Sequence, residues 1–338
     1  MRLHRGPGGT WPAVLGLGLA LAAFGVSACG SSSSSSTSSG SSSTASSGKG
    51  KNMTLIAGVK GDEFYITMNC GAQARAKQLG VNLNFQGPDQ FDPSLQTPIV
   101  NAVAAKKPDA VLIAPTDSKA MFAPINQLKT TAGSKIVLVD TTLDQSNIAA
   151  SQIASDNLGG GKAAATALGH LIGGKGDVFV VNVKPGISTT NLRAKSFSEQ
   201  AKALGLNYLG QDFSNDQPEK AAAIVKAQLA KNPNLKGIFA TNLFSAEGAA
   251  SGLREAGKLG KVKIVGFDAG PKQVQDLKDG LVQGLIAQKP AEIGADGVQQ
   301  AYNALNGKPV QAKIGTGFTA LTKANLANNQ AAIYKASC

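Results

Sequence analysis

From Met53 onward the chain alternates between two hydrophobic rhythms. Short apolar runs, mostly β-branched, are Leu55-Ile56, Val111-Leu112-Ile113, Ile136-Val137-Leu138-Val139, Val178-Phe179-Val180-Val181, Ile238-Phe239 and Ile264-Val265. Between them lie segments with helical periodicity near 65–79, 94–106, 119–131, 157–172, 191–204, 218–231, 246–256, 271–279 and 290–305. Strands that alternate with helices of this length predict βαβ units and parallel sheets, with right-handed crossovers laying helices on both faces. The number of runs predicts two doubly wound α/β lobes with about four or five strands each. Two stretches suit a crossing between lobes. Residues 153–160 are extended, small and polar, and at Ala287-Gln288-Lys289-Pro290 a strand stops at a proline before a helix. The chain beyond the second crossing is too short for a domain and must pack back on the first lobe.

The N-terminus departs from this pattern. Arg2, His4 and Arg5 precede an apolar run from Val14 to Val26, which ends in Val26-Ser27-Ala28-Cys29. A basic start, a short apolar stretch and small residues before a cleavage point read as a secretory signal over 1–28. The run is shorter than the about 20 residues of a spanning helix. Cys29 after small residues resembles a bacterial lipobox, which implies lipidation of that thiol; ordinary secretion is the plainer alternative. Residues 29–52 are nearly all Ser, Thr and Gly up to Gly50, a composition that buries too little to fold and reads as a flexible tether.

Net charge is +12, yet no block of five basic residues occurs. Scattered lysines on helical faces are solvated charge, and nucleic-acid binding is not expected. With His4 in the leader, His170 stands alone, which argues against a histidine triad or a multi-histidine zinc site. Gly173-Gly174-Lys175-Gly176 lacks the hydroxyl residue of a phosphate loop and precedes a strand rather than following one. No enzyme, cofactor or metal is expected. In an oxidising compartment the remaining Cys70 and Cys338 suggest one disulfide; two separate thiols, with Cys70 a small buried apolar residue, are the alternative.

One strand end draws the rest together. Residues 263–271 read as a buried strand breaking into Asp268, Gly270 and Pro271. Ligands of open α/β sheets bind beyond such carboxyl ends. Taken alone, Asp268 reads first as the cap of the helix that begins near Pro271.

Four motifs shift that reading: APTDS at 114–118, IASDNLGG at 153–160, GFDAGP at 266–271 and IAQKPAEIG at 286–294. In order and at these spacings, over 53–325, the chain resembles the periplasmic sugar-binding proteins of ribose- and galactose-binding type (the type I fold), which deliver ligands to ABC importers. The resemblance implies lobes of 53–155 plus 289–317 and of 156–288 plus 318–338, with hinge crossings near 155–156, 288–289 and 317–320. It places ligand contacts on Asp62, Phe64, Tyr65, Asp140, Thr141, Arg193, Asn215, Asn242, Asp268 and Gln288, with Ala114 at a further strand end. Carboxylates and amides suit adjacent hydroxyls, Arg193 offers a planar fork, and the aromatic pair can lie against a sugar's C–H face. Each has a plainer reading: Phe64 and Tyr65 as core, Asp140 as a turn residue, Arg193 as a surface cation, Asn242 as a helix cap. The site departs from the ribose pattern at Thr141 and Ala114, which lack a guanidinium and an amide, and at Asn215, which replaces an aromatic. Asp62-Glu63 adds acid where the ribose binder has Asn-Pro. The expected ligand is a sugar or sugar alcohol other than ribose in that pose; a non-sugar or cationic solute, or service to a membrane sensor instead of a transporter, stays open. The expected partner is an ABC permease, and the expected state is a monomer.

Overall fold

Runs such as Ala110-Val111-Leu112-Ile113 are apolar at every position because both faces of their sheet are covered. Val111 and Ile113 join one apolar cluster, with Val100, Ile125 and Leu128. Ala110 and Leu112 point the other way, into a cluster with Met68, Ala72, Ile293 and Val298. The computed structural model describes residues 50–338, so the signal segment, Cys29 and the tether before Gly50 lie outside the described residues.

Among the described residues the strands are β1 (Asn52–Ile56), β2 (Asn82–Gln86), β3 (Ala110–Ile113), β4 (Lys135–Val139), β5 (Ser151–Ser155), β6 (Asp177–Asn182), β7 (Asn207–Phe213), β8 (Leu235–Ala240), β9 (Lys263–Phe267), β10 (Gly284–Ala287), β11 (Lys313–Thr316) and β12 (Thr319–Leu321). The helices are α1 (Glu63–Leu79), α2 (Pro93–Lys106), α3 (Phe122–Thr130), α4 (Asn157–Leu171), α5 (Ser188–Ala203), α6 (Pro218–Lys231), α7 (Leu243–Glu255), α8 (Pro271–Lys278) and α9 (Pro290–Leu305). The strands form two six-stranded sheets, ordered β11-β5-β4-β3-β1-β2 and β12-β10-β9-β8-β6-β7. All pairings are parallel except β10 with β12. Four or five strands per sheet was thus an undercount. The edge strands β2 and β7 are half-exposed and polar, β5 alternates buried with half-buried residues, and β12 has three residues.

The two sheets share one strand order, with β1 to β5 matching β6 to β10. The chain changes sheet three times: after β5, after β10, and between β11 and β12. Close helix contacts depend on missing side chains. A Cβ on Gly71 of α1 would lie 2.0 Å from the Ala291 carbonyl of α9, and one on Gly294 of α9 2.0 Å from the Met68 carbonyl. After β12, a 3-10 turn (Leu326–Ala332) leads the chain back to α1, where Cys338 is bonded to Cys70.

Candidate functional site

The carboxyl ends of both sheets face one cavity between the lobes. It is lined by Asp62, Phe64, Tyr65, Phe91 and Asp140 from the first lobe, and by Val183, Ile187, Thr189, Thr190, Arg193, Asp216, Asn242, Asp268 and Gln288 from the second lobe and the crossing beside it. Its free volume is about 40 Å³, several times the 10–15 Å³ that one water needs. The lobes meet across its mouth. The Ser118 N–H donates to the Gly186 carbonyl (2.9 Å), the Thr142 N–H to Ser188 Oγ (2.9 Å), and Lys184 Nζ lies 3.4 Å from Asp92. Gly186 sits at φ +90°, and a Cβ there would come 2.2 Å from Asp117 Oδ2, so this contact admits only glycine without rearrangement.

Local structure aims each group. Asp62 is the N-cap of α1, with Oδ1 accepting from the Phe64 N–H at 2.7 Å. Phe64 and Tyr65 open that helix, both buried, their rings edge to face at 5.1 Å. Asp140, directly after β4, accepts from the Tyr65 hydroxyl at 2.7 Å. Arg193 is 2% exposed: Nε donates to Asn157 Oδ1 (2.8 Å), Nη1 to the Thr241 carbonyl (2.9 Å), and the guanidinium lies 3.8 Å from the Phe267 ring centroid. It is no surface cation. Asn242 caps α7 through Oδ1 and donates Nδ2 to Asp216 at 2.6 Å. Asp268 accepts at Oδ1 from Gln288 Nε2 (2.6 Å) and Tyr334 Oη (3.0 Å), and at Oδ2 from the Leu243 N–H (3.1 Å). Asp268 therefore assists the start of α7; at α8, Gln273 Oε1 accepts from the Gly270 N–H.

Asp140, Asn215, Asp216 and Asp268 are four of the five non-glycine residues with positive φ among the described residues. That conformation is unfavourable for an L-residue and gathers at functional turns when the surrounding structure holds it. Four aspartates face one arginine, and burial raises the carboxyl pKa of each. Asp140 and Asp216 are lifted to about 6, the first opposed by Arg193 and the second by the Asn242 amide. Asp62 is raised well above its ordinary range by burial and by Asp268 and Asp216, while Asp268 is raised by burial against the pull of Arg193. Burial and Asp140 also push the Tyr65 phenol up, which keeps it a donor.

Eight of the ten expected contact residues line the cavity. Thr141 does not: its hydroxyl turns inward and donates to the Pro115 carbonyl at 2.7 Å. Asn215 does not either, because it faces an outer groove with Val59 and Asp89 while the next residue, Asp216, turns into the cavity. Ala114 is buried behind, its carbonyl accepting from Gln96 Nε2. Sequence reasoning missed Phe91, which adds a third aromatic side chain to the cavity wall with Phe64 and Tyr65. A Cβ on Gly58 would lie 2.3 Å from the Phe91 ring, so Gly58 just after β1 was the available signal.

Among the described residues no partner reaches Asp62 Oδ2, Asp140 Oδ1, Asp216 Oδ2 or Arg193 Nη2. Thr190 Oγ1 and Gln288 Oε1 are buried with no partner at all. Open acceptors outnumber open donors, which suits a small ligand rich in O–H or N–H groups.

Residues 53–309 match the family model described as periplasmic binding protein domain. The ribose import binding protein of Salmonella typhimurium is 30% identical over 261 residues, covering 77% of this chain and 87% of that protein. An ABC transporter solute-binding protein of Agrobacterium vitis, solved with α-D-tagatopyranose, superposes with a TM-score of 0.82 at 42% identity, covering 84% of this chain and 99% of the other. A carbohydrate transporter solute-binding protein of Agrobacterium radiobacter, in complex with D-arabinose, does so with a TM-score of 0.79 at 29% identity, again covering 84% and 99%.

Proposed function

The chain belongs to the periplasmic binding protein domain family, and on that premise we propose that it captures a single uncharged polyhydroxyl solute, a monosaccharide or sugar alcohol, between its lobes and hands it to an ABC permease. The observation that carries this reading is the unbalanced cavity. Three carboxyl oxygens and Gln288 Oε1 lack partners, while Arg193 Nη2 is the one cationic donor left open. A sugar brings one O–H per hydroxyl and apolar C–H faces that fit Phe64 and Phe91. An anionic sugar meets four aspartates with one arginine to offset them.

Capture rests on the two-lobed frame. The chain passes between the sheets after Ser155, at Gln288-Lys289 and near Gly317, which supports reading these three crossings as the hinge. Ligand shifts the balance toward closure because only the closed form offers it both lobes at once. The binding protein acts as a monomer outside the cytoplasmic membrane, held by a lipid on Cys29 through the Ser-rich tether. Thermal-shift screening of the mature chain against neutral sugars, sugar alcohols, uronic acids and sugar phosphates tests the reading, since a solute bound only to the folded state raises its melting temperature. Upward shifts confined to neutral members are expected. Shifts with the anionic members alone would overturn it.

A further inference from the structure

Neighbouring residues of the C-terminal tail are anchored to opposite lobes. The Tyr334 N–H donates to the Ala269 carbonyl of the second lobe at 3.0 Å. The Lys335 N–H donates to Thr67 Oγ1, on α1 of the first lobe, at 2.7 Å. Consecutive Cα atoms are about 3.8 Å apart, so no slack lies between these two anchors. Cys338 then bonds Cys70, one turn along α1 from Thr67.

Tyr334 itself is buried, 3% exposed. Its ring meets Phe64 at 5.9 Å between centroids. Its hydroxyl donates to Asp268 Oδ1 (3.0 Å) and accepts from the Gln288 N–H (2.9 Å) at a sheet crossing. Gln288 Nε2 donates to the same carboxylate oxygen, which leaves Gln288 Oε1 as the unpartnered atom at the cavity. Turning that amide over would set its oxygen against the carboxylate. One phenol thus touches the aromatic wall, the acceptor of the second lobe and the crossing.

Resting on the reading of the cleft as a solute site, we propose that Tyr334 is a positioning residue of that site, and that the disulfide-anchored tail is a strap that holds it there and limits lobe opening. The hydroxyl holds Asp268 and, through it, the Gln288 amide in the orientation a ligand meets. An opening that parts α1 from Ala269 first breaks the Lys335–Thr67 bond. The four residues Lys335 to Cys338 then span about 13 Å at most from Tyr334 before the disulfide stops the motion.

Three measurements on the full mature chain test this. In the ligand-free protein, Tyr334→Phe keeps the ring and removes one donor to the ionised carboxylate, so the carboxyl of Asp268, followed by carbon NMR, titrates at higher pH than in wild type. Small-angle scattering of ligand-free Cys338→Ser gives a larger radius of gyration than wild type at equal concentration. Titration calorimetry with D-tagatose, D-ribose and D-allose shows Tyr334→Phe weakening the best of them about tenfold. The same change has little effect in an Asp268→Asn background. An unmoved Asp268 titration, an equal loss in both backgrounds, or an unchanged radius overturns the proposal. If wild type binds none of these sugars, the identity of the solute is what fails, and the two ligand-free measurements still decide the positioning contact and the strap.

Discussion

Each lobe ends its fourth strand in an aspartate, and the two are wired differently. Asp140 after β4 and Asp268 after β9 sit at matching places in the shared strand order, at φ 63° and 78°. Each donates its N–H to the following strand, to Ile153 and Ile286 respectively. Beyond that the symmetry stops. Asp140 accepts from one side chain, the Tyr65 hydroxyl of its own lobe. Asp268 accepts from Gln288 at a crossing, Tyr334 of the tail and the Leu243 N–H of α7. Arg193 beside it is fixed by Asn157 and Thr241. The second lobe thus carries the more extensively hydrogen-bonded half of the site, and preorganisation of that kind lowers the ordering cost of binding.

The largest effect belongs to Arg193→Ala. It removes the one cation lining the cavity and leaves Asp268 and Asp140 uncompensated. Unfolding by denaturant should show a loss of about 3–5 kcal/mol, and the solute-induced thermal shift should vanish. Next comes the direct comparison of the two aspartates. Asp268→Ala strands three donors and should cost roughly 2–3 kcal/mol, whereas Asp140→Ala strands the Tyr65 hydroxyl and should cost about 1 kcal/mol. Equal losses would erase the distinction between the lobes.

A separate effect is on pH. Asp140 and Asp216 rise from an ordinary value of 3.8 to about 6 in the folded chain. A carboxyl raised on folding binds its proton more readily when folded, so its contribution to stability is present below about pH 4 and is lost as pH rises through about 6. The ligand-free protein should therefore resist denaturant better at pH 5 than at pH 7. Solute affinity should run the other way, because hydroxyl donors favour the ionised carboxylates.

Much of this was legible where burial is complete. Runs such as 136–139 announce central strands because both faces are covered. Asn82–Gln86 and Asn207–Phe213 escaped notice because edge strands keep polar, half-exposed residues. Strand ends and helix starts marked most of the cavity wall, but not which way a turn points its side chains. Asn215 and Asp216 both have positive φ, and nothing in their order says that the second faces inward. Thr141 is polar at a strand end like its neighbour Asp140, yet the Pro115 carbonyl claims its hydroxyl. Tyr334 escaped entirely, since it reaches the site from 66 residues beyond Asp268.

The most direct test of the interlobe site is a crystal structure of the mature chain grown with the neutral sugar or sugar alcohol that gives the largest thermal shift. The expected result is one ring or short polyol between Phe64 and Phe91, with its hydroxyls on Asp62, Asp140 and Asp216 and an oxygen on Arg193. A solute bound elsewhere, with the cleft holding only water, would contradict the account.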